Sequence, residues 1–120
     1  MAIEVPILKI EDYLLATVQS VLSDKDLVHF GRKLAEMVGR QRVAAVIIDL
    51  SALDVIDSFA ARQLRSIANG TRLRGARTIA VGIQPDVAYG LVQLGMRLTG
   101  VETALDLEDA LKMLRIWRRE

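Results

Sequence analysis

Apolar residues follow two rhythms along this chain, and each rhythm implies a different kind of element. Val43 to Leu50 (Val-Ala-Ala-Val-Ile-Ile-Asp-Leu) has no polar side chain until Asp49, which suits a strand buried on both faces. Thr78 to Ile83 is a second short apolar strand, and Val101 to Leu105 a third. Ile3 to Ile10 and Tyr13 to Gln19 are β-prone runs joined at Glu11-Asp12, which predicts an opening hairpin.

Elsewhere the period lengthens to that of a helix. Ser23-Asp24-Lys25-Asp26 has the form of a capping box, with Leu27, Phe30, Leu34 and Val38 at helical spacing behind it and Gly39 as a stop. From Ser58 onward, Leu64, Ile67, Ala68 and Thr71 share one stripe while Arg62, Arg65 and Arg72 fall opposite, and Gly75 ends the helix. Pro85 fits a first helical turn, where its missing N–H costs nothing. Val87, Leu91 and Leu94 form the expected inner stripe there, with Gly95 as the stop. Asp106-Leu107-Glu108-Asp109 opens a last helix on a second capping-box pattern, with Leu107, Leu111 and Leu114 inward.

The resulting order is hairpin, helix, strand, helix, strand, helix, strand, helix. Buried strands alternating with helices predict an α/β domain, its mixed sheet mostly parallel and its four helices crossover or terminal elements. No repeat, low-complexity tract or linker interrupts it, and 120 residues suit one domain spanning 1–120. In such folds the loops at the carboxyl ends of strands carry function. Here those are Ser51 to Ser58 and Gln84-Pro85-Asp86.

Composition narrows the classes. Apolar residues make up 52% and aromatics only 4%, so the core is aliphatic, and the apolar surplus points to surface covered by another subunit. A net charge of +1 gives no long-range attraction to nucleic acid or to an anionic membrane. Arginines at 62, 65, 72, 74 and 77, and again at 115, 118 and 119, read as solvated helix faces and helix C-termini. The chain has no cysteine, which excludes thiol catalysis and disulfides. Without a spanning run or a signal pattern, the expected location is cytoplasmic.

The candidate chemistry is sparse. Asp49, Asp54 and Asp57 gather near a strand end, but a phospho-accepting receiver also needs acids after its first strand and a lysine after its last. Here the first strand runs into the hairpin, and Asp106 and Glu108 follow the last. His29 is the only histidine, and no Gly-x-Ser-x-Gly elbow surrounds Ser58. No phosphate-binding glycine loop is present, and no metal or cofactor is expected. Ser58 itself admits three roles. As an N-cap it would contribute about 1 kcal/mol, and the same position could hold an anion or accept a phosphate beside free helix amides.

Ile48-Asp49-Leu50-Ser51 followed by Asp57-Ser58 resembles the STAS domains of bacterial anti-sigma factor antagonists, in which an Asp-Leu-Ser-like turn ends a strand and an Asp-Ser opens the next helix. Plain antagonists continue with a small hydroxyl residue and a glycine. This chain reads Ile56-Asp57-Ser58-Phe59-Ala60, which is similar to the RsbS-type branch of the stressosome. Val5-Pro6-Ile7-Leu8-Lys9, Ile83-Gln84-Pro85 with Val87-Ala88, and Glu102 to Glu108 resemble that branch too.

The resemblance implies a protein that is not an enzyme. It implies a scaffold that assembles with RsbR-type STAS proteins into a large complex and sequesters an RsbT-type serine kinase. That kinase would phosphorylate Ser58 and leave, and an RsbX-type phosphatase would reset the site. Asp54, Asp57 and Phe59 would rim the switch, with Arg62, Gln63, Gln84, Pro85 and Asp86 as further partner contacts. Two other readings stand beside it: a free antagonist that binds an anti-sigma kinase when unphosphorylated, and a nucleotide- or anion-binding module.

Overall fold

The computed structural model describes residues 3–119. A five-stranded sheet is ordered β1-β2-β3-β4-β5, with β1 (Ile7–Ile10), β2 (Tyr13–Thr17), β3 (Ala45–Asp49), β4 (Arg77–Val81) and β5 (Val101–Ala104). β1 and β2 form the antiparallel hairpin, in register from Ile10 against Tyr13. The pairs β2–β3, β3–β4 and β4–β5 are parallel. Helices α1 (Asp24–Gln41), α2 (Ser58–Leu73) and α3 (Pro85–Gln93) connect the parallel strands, and α4 (Leu107–Arg118) ends the fold.

From β2 onward each new strand is added on the same side of its predecessor. Right-handed crossovers between strands laid down in one direction put their helices on one face of the sheet. The core follows that rule. Leu14, Val46, Ile48 and Ala80 pack with Phe30, Leu34, Leu64, Ile67, Val87 and Leu91 of the three connecting helices. Tyr13, Ala45, Ile47 and Ile79 turn the other way and pack with Ala110 and Leu114 of α4. Between α2 and β4 the buried Thr71 and Thr78 hydroxyls lie 2.8 Å apart. The Thr71 hydroxyl donates to the Ala68 carbonyl, so Thr78 is the donor to Thr71 and neither group is left unsatisfied.

Two sequence expectations are corrected. Gly39 does not stop α1, which continues to Gln41 and ends at Arg42 in the left-handed region (φ 50°). Gly39 instead leaves room for the Arg74 guanidinium, with which a Cβ at that position would collide. Leu94 is not part of the inner stripe of α3: it is the C-cap residue and 59% exposed. The helix ends at Gln93, so Leu94 lies past the last turn and outside the packed stripe of Val87 and Leu91. Gly75 and Gly95 do follow their helices with positive φ.

The capping box at the start of α1 is present in full: Ser23 Oγ accepts from Asp26 N–H, and Asp26 Oδ2 accepts from Ser23 N–H. Asp26 Oδ1 also accepts the Ile3 amide at 3.0 Å, which ties the N-terminal segment to the helix. These donors, Ile3 N–H foremost, hold the Asp26 carboxyl below its ordinary value against the opposing effect of burial. A depressed folded-state value contributes stability above the ordinary aspartate range, and that contribution is lost as pH falls through the folded value. Acid titration followed by circular dichroism is therefore expected to show a shallower acid-side loss for Asp26→Asn than for the wild type. Parallel acid limbs would remove Asp26 from that role.

Candidate functional site

The site is built by the way β3 ends. Asp49 Oδ1 accepts the Ser51 amide at 2.9 Å, and Leu53 N–H donates to the Leu50 carbonyl, so the chain turns sharply at the carboxyl end of this central strand. Leu50, Leu53 and Ile56, spaced three apart, are all buried. They sit over an apolar recess shared with Val18, Leu22 and Phe30. Anchored at three points, the loop turns Asp54, Val55 and Asp57 outward to solvent.

Ser58 does not cap α2. Asp57 is the N-cap residue, in extended conformation (φ −81°, ψ 176°), and its Oδ1 accepts Ala60 N–H at 2.8 Å. A charged carboxylate at that position satisfies a free amide and also faces the positive end of the helix dipole. Ser58 is displaced to the first helical position, half-buried, with its hydroxyl released from any capping duty. Phe59 is half-buried beside it. Arg62, one turn further along, is exposed and Gln63 is half-buried.

The second loop reaches the first through Gln84, the N-cap residue of α3. Its Nε2 donates to the Ser51 carbonyl at 2.9 Å and approaches Asp54 Oδ1 at 3.5 Å. Pro85 and Asp86 follow in the first turn of α3, both exposed. The structure thus joins the two loops singled out from the sequence. Arg62 and Gln63 share α2 with Ser58, and among the described residues neither forms a hydrogen bond to either loop.

Two contributors escaped the sequence reading. Ser51 receives the cross-loop bond on its backbone, a role no side-chain motif announces. Gly82, read only as punctuation, has φ +73°, and a Cβ there would lie 2.8 Å from Ser51 Cβ. Only glycine lets the end of β4 come that close to the β3 turn. The pairing of Asp49 with Val81 sets up this approach, and strand register is not written in local sequence.

Asp49, Asp54 and Asp57 do not converge. Among the described residues no group of three or more His, Cys, Asp or Glu side chains is placed to hold a metal ion. His29 lies on the exposed part of α1 and meets Glu4 Oε1 at 3.0 Å, away from the serine. No helix among the described residues is long and apolar enough to cross a membrane. What the site offers is a half-buried serine with no capping duty, preceded by the exposed Asp54 and Asp57 on a loop anchored to the core.

A strand-end turn that hands a serine to a helix N-terminus on this topology matches one family over residues 5–110, the STAS domain. The chain belongs to the STAS-domain family. It is closely related to the RsbR and RsbS stressosome antagonists. RsbS S58E of Moorella thermoacetica is 34% identical, with a TM-score of 0.82 over 97% of this chain and 98% of that one. A chain from the molecular architecture of the stressosome is 32% identical (TM-score 0.77), covering 96% of this chain and 100% of its own length. The RsbT co-antagonist protein RsbRD of Bacillus subtilis is 31% identical over 87 residues, 69% of this chain. This STAS domain spans only 31% of RsbRD.

The Asp57 cap is open to direct measurement. Asp57→Ala is expected to destabilise the domain by about 1 kcal/mol in urea unfolding, with Asp57→Asn retaining most of that stability. Equal stability of Asp57→Ala and wild type would mean that the cap contributes nothing.

Proposed function

We propose that this STAS domain is a phosphorylation-switched scaffold and antagonist of a stressosome-type complex, and that Ser58 is its switch. The observation that carries the reading is the end-to-end likeness to RsbS, whose solved form bears S58E, taken with the free hydroxyl that Ser58 presents here. Among the described residues no side-chain cluster is placed to hold a metal ion, and the sequence has no phosphate-binding glycine loop; in this reading a separate kinase supplies the phosphoryl transfer. An RsbT-type serine kinase fits that role, an RsbX-type phosphatase its reversal, and RsbR-type STAS proteins the companion subunits. Asp54, Asp57, Phe59, Arg62, Gln63, Gln84, Pro85 and Asp86 form the surface that such a kinase would read.

The physical effect of the modification follows from the position of Ser58. A phosphoserine adds a charge of about −1.5 to −2 next to Asp57, whose carboxylate already occupies the N-terminus of α2. Phosphate and carboxylate then compete for the same few amides, which favours release of the cap and a change in the loop's potential. The buried anchors Leu50, Leu53 and Ile56 confine that change to the surface. A bound kinase would feel it without any refolding of the domain.

Incubation with the cognate RsbT-type kinase and ATP, followed by mass spectrometry, is expected to place a single phosphate on Ser58 and none on Ser58→Ala. Undiminished modification of that variant would overturn the assignment. Mixing with an RsbR-type partner is expected to give a large particle. A mixture that stays small would favour a free anti-sigma factor antagonist.

A further inference from the structure

Helix α2 carries Arg62, Arg65 and Arg72 but no acidic side chain, whereas α1, α3 and α4 each carry at least one. On the surface of a helix a residue's neighbours lie three and four positions away. For Arg62 these are Ser58, Phe59, Arg65 and Ser66, and none of them balances its charge. Arg62 is exposed, and among the described residues it makes no ion pair. The carboxylate before the helix, Asp57, is engaged with the Ala60 amide at 2.8 Å. A cation this close to the positive end of a helix dipole, with no carboxylate beside it, has no electrostatic reason to be there in the unmodified domain.

We propose that Arg62 is the intramolecular partner of a phosphate on Ser58, a positioning residue that holds the phosphoryl group along the outer face of α2. The inference rests on the reading of Ser58 as a phosphate acceptor. The two residues stand four apart, about 6 Å along the helix axis. Helical side chains lean toward the N-terminus, so Arg62 extends over the turn that Ser58 opens. Its planar guanidinium presents paired N–H donors that match two phosphate oxygens. An anion four residues before a cation is also the favourable order on a helix. The two charged residues nearest Ser58 in the loop, Asp54 and Asp57, are acidic and exposed. Repulsion from that side and attraction by Arg62 turn the phosphate the same way, along the helix. The modified surface then differs from the resting one twice over: an anion is added, and an exposed cation is drawn onto it.

Phosphoserine incorporated at position 58 during synthesis of the full chain makes the test independent of any kinase, and phosphorus NMR across a pH titration reads the pairing. A nearby cation favours the dianionic phosphate. The second ionisation is therefore expected at lower pH with Arg62 than in Arg62→Gln, by about 0.3 pH unit or more. Arg62→Lys is expected to recover part of that difference. Arg72→Gln, the same charge change at the far end of α2, is expected to leave the titration at its wild-type position. An unchanged titration in Arg62→Gln, or an equal displacement in Arg72→Gln, would overturn the pairing. Failure of a kinase to modify Ser58 counts against the switch alone, because the pairing is read on the incorporated phosphoserine.

Discussion

Ala45, Val46, Ile47 and Ile48 of β3 are fully shielded from solvent, with connecting helices against one side of their strand and α4 against the other. Burial of large aliphatic side chains contributes about 1.5–3 kcal/mol each, and here that contribution is concentrated at the centre of the sheet. The strand cannot slip by one residue, because its two sets of side chains would exchange faces and lose both packings. Its C-terminal end is therefore a fixed point. Asp49 turns the chain there, and everything that follows up to Ser58 is positioned by that end.

The loop after β3 is unlike a mobile surface connection. Leu50, Leu53 and Ile56 pin it to the core, Gln84 ties it to the neighbouring loop, and Gly82 allows the two to touch. Under the proposed switch, these anchors would confine any rearrangement to the loop surface around the α2 N-terminus. Capping by Asp57 instead of Ser58 has the same consequence, because the carboxylate holds the helix start and leaves the serine hydroxyl free. The cap and the proposed acceptor are adjacent residues, so a negative charge added at Ser58 would act directly on the Asp57 carboxylate.

Much of this was legible in the chain. The uninterrupted run Val43 to Leu50 and the helical stripe through Leu64, Ile67, Ala68 and Thr71 correspond to β3 and α2. Ser23 with Asp26, and Pro85 at the start of α3, match the structure because capping and proline geometry act within a few residues. Three readings did not hold, one for a non-local reason and two at helix ends. Gly39 looked like a stop because the packing of Arg74 from another helix could not be seen. Leu94 looked like core because its stripe was extended one step past the last helical turn. Asp57 and Ser58 are both good capping residues, and sequence alone does not choose between neighbours.

Local sequence by itself determined the number and order of the elements, the aliphatic core and the strand-end loop where the candidate site lies. These are set by side-chain periodicity and by interactions between residues a few positions apart. Tertiary structure alone decided that Gln84 meets Ser51, that Gly82 must lack a side chain, and that α4 covers the opposite face from the other helices. Each of these depends on strand order and register, which arise from contacts between segments tens of residues apart and leave no local trace.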